Sequence, residues 1–255
     1  MKKVITIANR KGGIGKTTTA ASMASYLKQK NFRVLMVDLD SQCNLSSNVN
    51  ADVRGKTILD VLLKKSRASK VVQATPICDI LPGSLELSKI NDALANKTGR
   101  EYRLLESLFD VKDDYDYCII DTPPELALAT TNALTASDQL IIPTTAESFS
   151  LDGIEQLYSS VKDVWSYTNK DLKIAGILIT LYNSRAVLSK AMRKDLEDIA
   201  RKINTKLYNQ TIRRGIAIAE AQTKMVDLFT YAGSSEVAKD YAAWVEEYLE
   251  DEKNA

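Results

Sequence analysis

Val4-Ile5-Thr6-Ile7-Ala8 leads directly toward Lys11-Gly12-Gly13-Ile14-Gly15-Lys16-Thr17-Thr18, and these two segments decide the fold. The β-branched run predicts a buried strand. The glycines after it let the backbone curl so that its N–H groups surround a phosphate, and a following helix adds its positive N-terminal end. In such a loop Lys16 contacts the β- and γ-phosphates and the Thr17 hydroxyl binds Mg²⁺. The sequence therefore predicts a phosphate-binding loop.

The loop departs from the common pattern in two ways. A strict G-x-x-x-x-G-K-[ST] motif needs glycine where this chain has Arg10, and a second lysine, Lys11, stands at its front. Glycines and lysines also form ordinary solvated turns. Here, however, the loop lies between a strand pattern and an apolar helical pattern over residues 20–27, which is the context that nucleotide binding requires.

Further apolar runs predict a mostly parallel β-sheet flanked by helices, an α/β architecture in a single P-loop domain over residues 1–255. The predicted strands after the first are 33–38, 79–83, 117–121, 139–143 and 174–180. Helical spacing predicts helices over 151–167, 186–203 and 234–250.

Composition limits the possible classes of protein. At 255 residues and 45% hydrophobic content, the chain can build a sizeable core. No apolar run reaches the roughly 18 residues of a membrane span, and no cleavable signal precedes the first strand, so we expect a cytoplasmic protein. Cys43, Cys78 and Cys118 are too widely spaced to suggest a zinc site or a disulfide framework.

Charge is unevenly distributed along the chain. The formal net charge is +1, yet residues 185–224 hold ten Lys or Arg against four acids. Residues 240–255 contain six acidic residues and one basic residue, Lys253. A neutral chain with such a basic segment can still bind phosphates locally.

Aspartates at predicted strand ends supply candidate metal ligands. Asp121 ends an apolar run and precedes Thr122-Pro123-Pro124, a rigid turn beside the expected γ-phosphate. Asp38 and Asp40 alternate along an extended segment and so point to opposite faces, which places only one of them toward the phosphate. A lone aspartate at a strand end is often a capping residue, but the upstream loop favours Mg²⁺ chemistry.

Four motifs in order resemble the ParA family of DNA-partitioning ATPases, within the deviant Walker A group that also holds MinD-like proteins. They are residues 11–18, Asp38-Leu39-Asp40-Ser41-Gln42, residues 121–124 and residues 132–138. The likeness covers nearly the whole chain. It points to the small, Soj-like type, because the loop begins too early to leave room for an N-terminal helix-turn-helix.

The resemblance implies roles for these residues. Lys11 matches a signature lysine that reaches the partner's nucleotide in an ATP-dependent sandwich homodimer. Lys11, Lys16 and Asp40 are then the catalytic candidates, with Asp40 positioning the hydrolytic water. Thr17, Asp40 and Asp121 are the metal candidates, the acids acting directly or through water. The nucleotide-binding candidates are Lys11, Gly12, Gly13, Ile14, Gly15, Lys16, Thr17, Thr18 and Asn183, the last near the adenine base.

Two departures from the family pattern bear on function. The family often reads Asp-Pro-Gln-Gly where this chain has Asp40-Ser41-Gln42-Cys43, so we expect a more mobile loop and an altered rate of hydrolysis. A Pro-Arg-Asn-Val-Arg stretch of small ParA proteins is replaced by residues 213–217, which lack the second arginine. The candidates for contacts with duplex DNA are Arg185, Lys190, Arg193, Arg213 and Arg214.

Together these features predict a weak ATPase that uses ATP and Mg²⁺, binds DNA without sequence preference, associates with the nucleoid and is stimulated by a ParB-like partner. The acidic C-terminal segment argues against a MinD-like membrane helix, and the cysteines do not suggest an iron-sulfur cluster. A metabolic ligase of the dethiobiotin-synthetase kind shares the loop, but no substrate signature was identified. One alternative stays open, a ParA- or MinD-like ATPase that positions a protein cargo.

Overall fold

The structure, a computed structural model, describes residues 1–147 and 150–254. Its strands are β1 Lys3–Ile7, β2 Val34–Asp38, β3 Asp79–Leu81, β4 Tyr117–Asp121, β5 Gln139–Thr145 and β6 Lys173–Thr180. Its α-helices are α1 Lys16–Gln29, α2 Asn44–Asn48, α3 Ile58–Leu62, α4 Ile90–Ala93, α5 Arg103–Leu108, α6 Leu128–Ala136, α7 Ser150–Tyr167, α8 Val187–Lys202, α9 Ile216–Thr223, α10 Leu228–Ala232 and α11 Glu236–Asn254. Short 3₁₀ turns cover Ala68–Lys70, Leu85–Lys89 and Arg100–Tyr102.

The strands form one six-stranded sheet in the order β3-β2-β4-β1-β5-β6, with every pairing parallel. This confirms the predicted fold class. All six predicted strands are present, and β5 runs two residues further than predicted, to Thr145. The three long helices predicted after residue 150 begin and end within a few residues of the expected positions.

Helices cover both faces of the sheet. On one face, Ile5, Ile7 and Ile119 pack in a cluster with residues of α1 and α11, including the fully buried Trp244. On the other face, the intervening strand residues pack against α3, α5 and α6 at one end and against α7 and α8 at the other. Burial on both faces explains why the strands read as continuous apolar runs rather than alternating ones.

The order of the strands indicates which edge of the sheet binds ligands. β1 lies between β4 and β5, and the chain crosses from β1 through α1 to β2 on one side while β5 lies on the other. Ligands of open parallel sheets bind at the carboxyl ends of the strands where the order reverses. The loop after β1, and the residues that end β2 and β4, meet at this edge.

Candidate nucleotide site

The loop between β1 and α1 has the backbone geometry of a phosphate cradle. Gly13 and Gly15 adopt left-handed conformations, with φ of 70° and 85°, which glycine tolerates without strain. Gly15 is the N-cap of α1, and among the described residues no side chain caps this end. The first N–H groups of α1 therefore point toward the cavity at the functional edge, as anion binding requires.

The two lysines of the loop make different contacts. Lys16 is buried, and its Nζ donates to the carbonyl oxygen of Lys11 at 3.0 Å. Burial lowers the pKa of Lys16, while the nearby charges of Asp121 and Asp40 oppose this change. Lys11 Nζ lies 2.5 Å from Glu147 Oε2 and 3.2 Å from Thr145 Oγ1. The Lys11 ammonium thereby holds the pKa of Glu147 below its usual value.

The other loop residues pack around these lysines. Ile14 is buried, and its carbonyl oxygen accepts a hydrogen bond from Thr180 Oγ1 at 2.7 Å. Thr18 Oγ1 lies 3.4 Å from Gln222 Nε2 on α9. A cavity of about 740 Å³ opens beside the loop. Among its lining residues are Gly12, Gly13, Gly15, Lys16, Thr17, Thr18, Asp40, Pro123, Pro124 and Glu125.

Asp121 ends β4 with its carboxylate fully buried. Within the described part of the chain, neither of its oxygens accepts a hydrogen bond in good geometry. Burial raises the pKa of Asp121 well above its usual value, and the charge of Asp38 raises it further, whereas Thr17 and Lys16 act in the opposite direction. A buried carboxylate with no well-aligned hydrogen bond, beside a threonine hydroxyl, is the kind of oxygen donor set that Mg²⁺ accepts.

The aspartates Asp38 and Asp40 are placed differently, as their alternation predicted. Asp40 lines the cavity, and its Oδ1 accepts from Gln42 N at 2.9 Å. Asp38 is fully buried beside Asp121 in the β2–β4 register and accepts hydrogen bonds from Ser46 and from Asp40 N. Of the pair, Asp40 is the one that a nucleotide in the cavity would meet.

These residues can bind Mg²⁺ only if phosphate oxygens of the nucleotide supply the other ligands. Among residues 1–147 and 150–254, no group of three or more His, Cys, Asp or Glu side chains is arranged to hold a metal ion. Mg²⁺ bound with a nucleotide usually takes only one or two protein ligands and completes its shell with phosphate oxygens and water. Thr17 and Asp121 suit that arrangement.

Cys43 occupies the position where the family motif places glycine. Its φ is 54°, a left-handed conformation that favours glycine and disfavours residues with a Cβ. The thiol is nonetheless buried, and its Sγ lies 3.6 Å from the carbonyl oxygen of Ser41. Burial raises the pKa of Cys43 to about 11, with Asp38 and Asp40 adding to the effect. The altered loop is thus packed against the core at Cys43.

The far end of the cavity was only partly identified by sequence. Asn183 is exposed, its Oδ1 accepts from Arg185 N at 3.1 Å, and it does not line the cavity. This end is instead lined by Thr180, Leu181, Ile212, Arg213, Arg214, Gly215, Ile218, Gln222 and Tyr241. The segment that begins at Ile212 reaches the cavity because it pairs with the end of β6. Ile212 N donates to Ile179 O at 2.8 Å, and Tyr182 N donates to Ile212 O at 2.9 Å. Gly215 before an apolar run was the only local signal for it.

The DNA-binding candidates fall into two groups. Arg185 and Arg214 are exposed. Arg213 Nε and Nη2 instead contact the two oxygens of buried Asp240 at 2.7 and 2.9 Å, and its Nη1 lies 3.3 Å from Glu236. This pairing argues against Arg213 as a free phosphate contact, because two acids already balance its charge.

Two DNA-binding candidates lie on α8. Arg193 pairs with Glu197 at 3.3 Å. The side chain of Lys190 lies outside the described residues.

Among the described helices, none is both long and apolar enough to cross a membrane.

Together, the parallel sheet, the glycine loop with its additional front lysine and the aspartates at the neighbouring strand ends define a P-loop protein of the deviant Walker A class. A family model described as an AAA domain matches residues 2–174. The chain is 36% identical to the sporulation initiation inhibitor protein Soj of Bacillus subtilis, over 94% of this chain and 96% of that protein. It is 32% identical to the chromosome partitioning protein ParA of Myxococcus xanthus, over 94% and 86% of the two chains. The chain belongs to the ParA family of ATPases.

Solved structures share the fold. A cobyrinic acid a,c-diamide synthase from Mycobacterium smegmatis, crystallised with ADP and magnesium, superposes with a TM-score of 0.86 at 32% identity and covers 99% of this chain and 96% of its own. McdA from Cyanothece superposes with a TM-score of 0.87 at 23% identity, covering 97% of this chain and 99% of its own. The second likeness is one of fold.

Proposed function

We propose that this protein is a DNA-segregation ATPase whose ATP-bound homodimer binds duplex DNA without sequence preference. Hydrolysis, stimulated by a ParB-like partner, then releases the DNA. The observation that carries the proposal is the second lysine of the loop, Lys11, beside a cavity with P-loop geometry. Support comes from relatives whose names describe chromosome partitioning.

Each loop residue has an assigned part. Lys16 holds the β- and γ-phosphates, and the N–H groups of the glycine loop surround them. Thr17 and Asp121 would hold Mg²⁺, which neutralises phosphate charge when bound. Asp40 orients the attacking water from the cavity wall, because phosphoryl transfer is accelerated mainly by positioning and charge.

Lys11 links nucleotide binding to dimerisation. In the described chain, Lys11 Nζ lies 2.5 Å from Glu147 Oε2 of the same subunit. We assign it the signature role of reaching the nucleotide of the facing subunit. An ATP-bound dimer would bring the exposed Arg185 and Arg214 of two chains onto one assembly, which strengthens binding to a phosphate backbone. The protein would then act in the cytoplasm, on nucleoid DNA.

The test is binding to non-specific duplex DNA at low salt, with ATP and Mg²⁺, with ADP, and without nucleotide. We expect binding only with ATP and Mg²⁺. A double variant, Arg185→Ala with Arg214→Ala, should lose most of it and reduce the salt slope by about 0.9 for each phosphate contact removed. The matched control removes two exposed charges from the loop before α3, Arg54→Ala with Lys56→Ala.

A second candidate, an ATPase that positions a protein cargo, is favoured by one observation. Arg213 and Arg193 are paired within the chain, which leaves fewer free positive charges than the sequence suggested. Absence of DNA binding in every nucleotide state, together with intact ATP-dependent dimerisation, would support this candidate and contradict DNA segregation.

A further inference from the structure

The loop that carries Asp40 is fixed from behind by a buried hydrogen-bond network. Asp38 Oδ1 accepts from Asp40 N at 3.1 Å. Asp38 Oδ2 accepts from Ser46 Oγ at 2.6 Å and from Ser46 N at 2.8 Å. Both Asp38 and Ser46 are fully buried. One carboxylate thus joins the backbone of Asp40 to the first turn of α2.

The same serine hydroxyl also reaches a second wall of the cavity. Ser46 Oγ accepts from Gly83 N at 2.8 Å, just before the Leu85–Lys89 turn. Leu87 and Asn91, which follow Gly83 along the chain, also line the cavity. The Ser46 hydroxyl therefore contacts two separate segments that each contribute to the cavity.

Space around this network is fully used. A Cβ on Gly83 would lie 3.0 Å from Asp38 Cγ and 3.1 Å from Cys43 Sγ, which is tighter than ordinary packing. Interiors packed this closely transmit displacement instead of absorbing it. A change at Ser46 or Gly83 should therefore displace Asp38, and a displaced Asp38 should in turn move Asp40.

We propose that Ser46 is a positioning residue for ATP hydrolysis: its hydroxyl holds Asp38 and Gly83 together and so sets the place of Asp40 in the cavity. The inference rests on the proposed function of Asp40. Ser46 itself acts from behind the cavity, through other residues. Its loss should therefore change the rate of the chemical step more than the affinity for nucleotide.

Ser46→Ala removes the donor to Asp38 and leaves Gly83 N–H without its acceptor. We expect kcat for ATP hydrolysis to fall roughly ten-fold, because small misplacements of catalytic groups are costly, while the dissociation constant of a non-hydrolysable ATP analogue stays within two-fold (about 0.4 kcal/mol) of wild type. The matched control is Ser47→Ala, the same change on the exposed side of the same helix, which should alter neither quantity.

Two further variants address folding. Gly83→Ala removes no donor or acceptor but pushes on Asp38, and Asp38→Asn keeps the shape but offers one acceptor oxygen where the carboxylate serves both Asp40 and Ser46. Each should lower kcat with little change in analogue binding. A purely structural network would lower the unfolding midpoint while leaving kcat per folded molecule unchanged, and that result in any folded variant would overturn the proposal.

The experiment separates this inference from DNA segregation. Turnover and analogue binding are measured without DNA. A wild-type protein that hydrolyses ATP but binds no DNA leaves the role of Ser46 standing if Ser46→Ala is slow. Normal ATP-dependent DNA binding with unchanged turnover in Ser46→Ala would refute the role of Ser46 alone.

Discussion

The substitution Asp121→Asn should raise the free energy of unfolding of the nucleotide-free protein. It should also reduce the further rise that nucleotide with Mg²⁺ provides. Asp121 is fully buried, and within the described residues neither carboxylate oxygen accepts a hydrogen bond in good geometry, so Thr17 and Lys16 offset the cost of burial only in part. A buried polar atom without a partner costs about 1–3 kcal/mol, and more when it is charged. Asparagine avoids the cost of keeping this buried group ionised, a cost that appears as the raised pKa of Asp121, but it still has polar atoms to satisfy and it loses the attraction to Lys16. The expected net gain for the nucleotide-free protein is about 1 kcal/mol.

For a chain of this size, that gain raises the unfolding midpoint by about 2–4 °C. In wild type, Mg²⁺ and an ATP analogue at roughly 100 times the dissociation constant should add about 2.7 kcal/mol. The corresponding rise of the midpoint is about 5–11 °C. The variant should lose the part of this rise that depends on Mg²⁺, because Asp121 is the buried carboxylate that suits the ion.

The assay is thermal unfolding with the analogue, in Mg²⁺ or in EDTA. The control is Asp227→Ala, because Asp227 Oδ1 already accepts from Ser25 Oγ, Phe229 N and Thr230 N. Loss of this helix cap should lower the midpoint of the nucleotide-free protein at a cost of about 1 kcal/mol and leave the Mg²⁺-dependent rise intact. A variant at Asp121 that is less stable without ligand, yet keeps the full Mg²⁺-dependent rise, would refute this reasoning.

Three further outcomes are expected. Lys16→Ala should abolish ATP-dependent dimerisation in size-exclusion chromatography, whereas Asp40→Ala should give a dimer that persists with ATP, and a monomeric Asp40→Ala protein would contradict its assigned role. Burial raises the pKa of Asp38 to about 6, so the folded protein keeps a proton that the unfolded chain releases above about pH 4. The unfolding free energy from this group should therefore fall as pH rises from about 4 to about 6, which unfolding midpoints of the nucleotide-free protein will show. Arg213→Ala should lower the unfolding midpoint and leave DNA affinity nearly unchanged, whereas Arg214→Ala should weaken DNA binding and leave the midpoint in place.

The sequence predicted the sheet well because strands buried on both faces are continuous apolar runs. It did not predict α2, α3 or α10, each five residues long. A five-residue helix is too short to show the 3.6-residue periodicity on which such predictions depend. α3 and α10 are stabilised by local caps, Thr57 with Asp60 and Asp227, whereas α2 depends on a contact outside the helix, since Asp38 accepts from Ser46 N.

The candidate site also has features that local motifs predict and features that they do not. Local motifs were enough to indicate the phosphate loop and the separation of Asp38 from Asp40, since both follow from neighbouring residues. The hydrogen bond from Gly83 N to Ser46 Oγ joins residues 37 positions apart, and the pairing of Arg213 with Asp240 spans 27 positions. Neither contact has a local sequence signature, which is why the sequence alone predicts Arg213 as a DNA contact.

The buried thiol of Cys43 can report on opening of the loop that carries Asp40. An alkylating reagent attacks the thiolate of an accessible cysteine, and burial here suppresses both access and ionisation. Labelling of Cys43 should thus proceed only when the Asp40 loop opens, so its rate counts opening events. Cys78 and Cys118 are buried in the core and should react only upon wider unfolding, which supplies an internal reference. Mass spectrometry of the unmodified sequence can therefore measure whether nucleotide changes the opening rate of this loop, without a dye or an introduced residue.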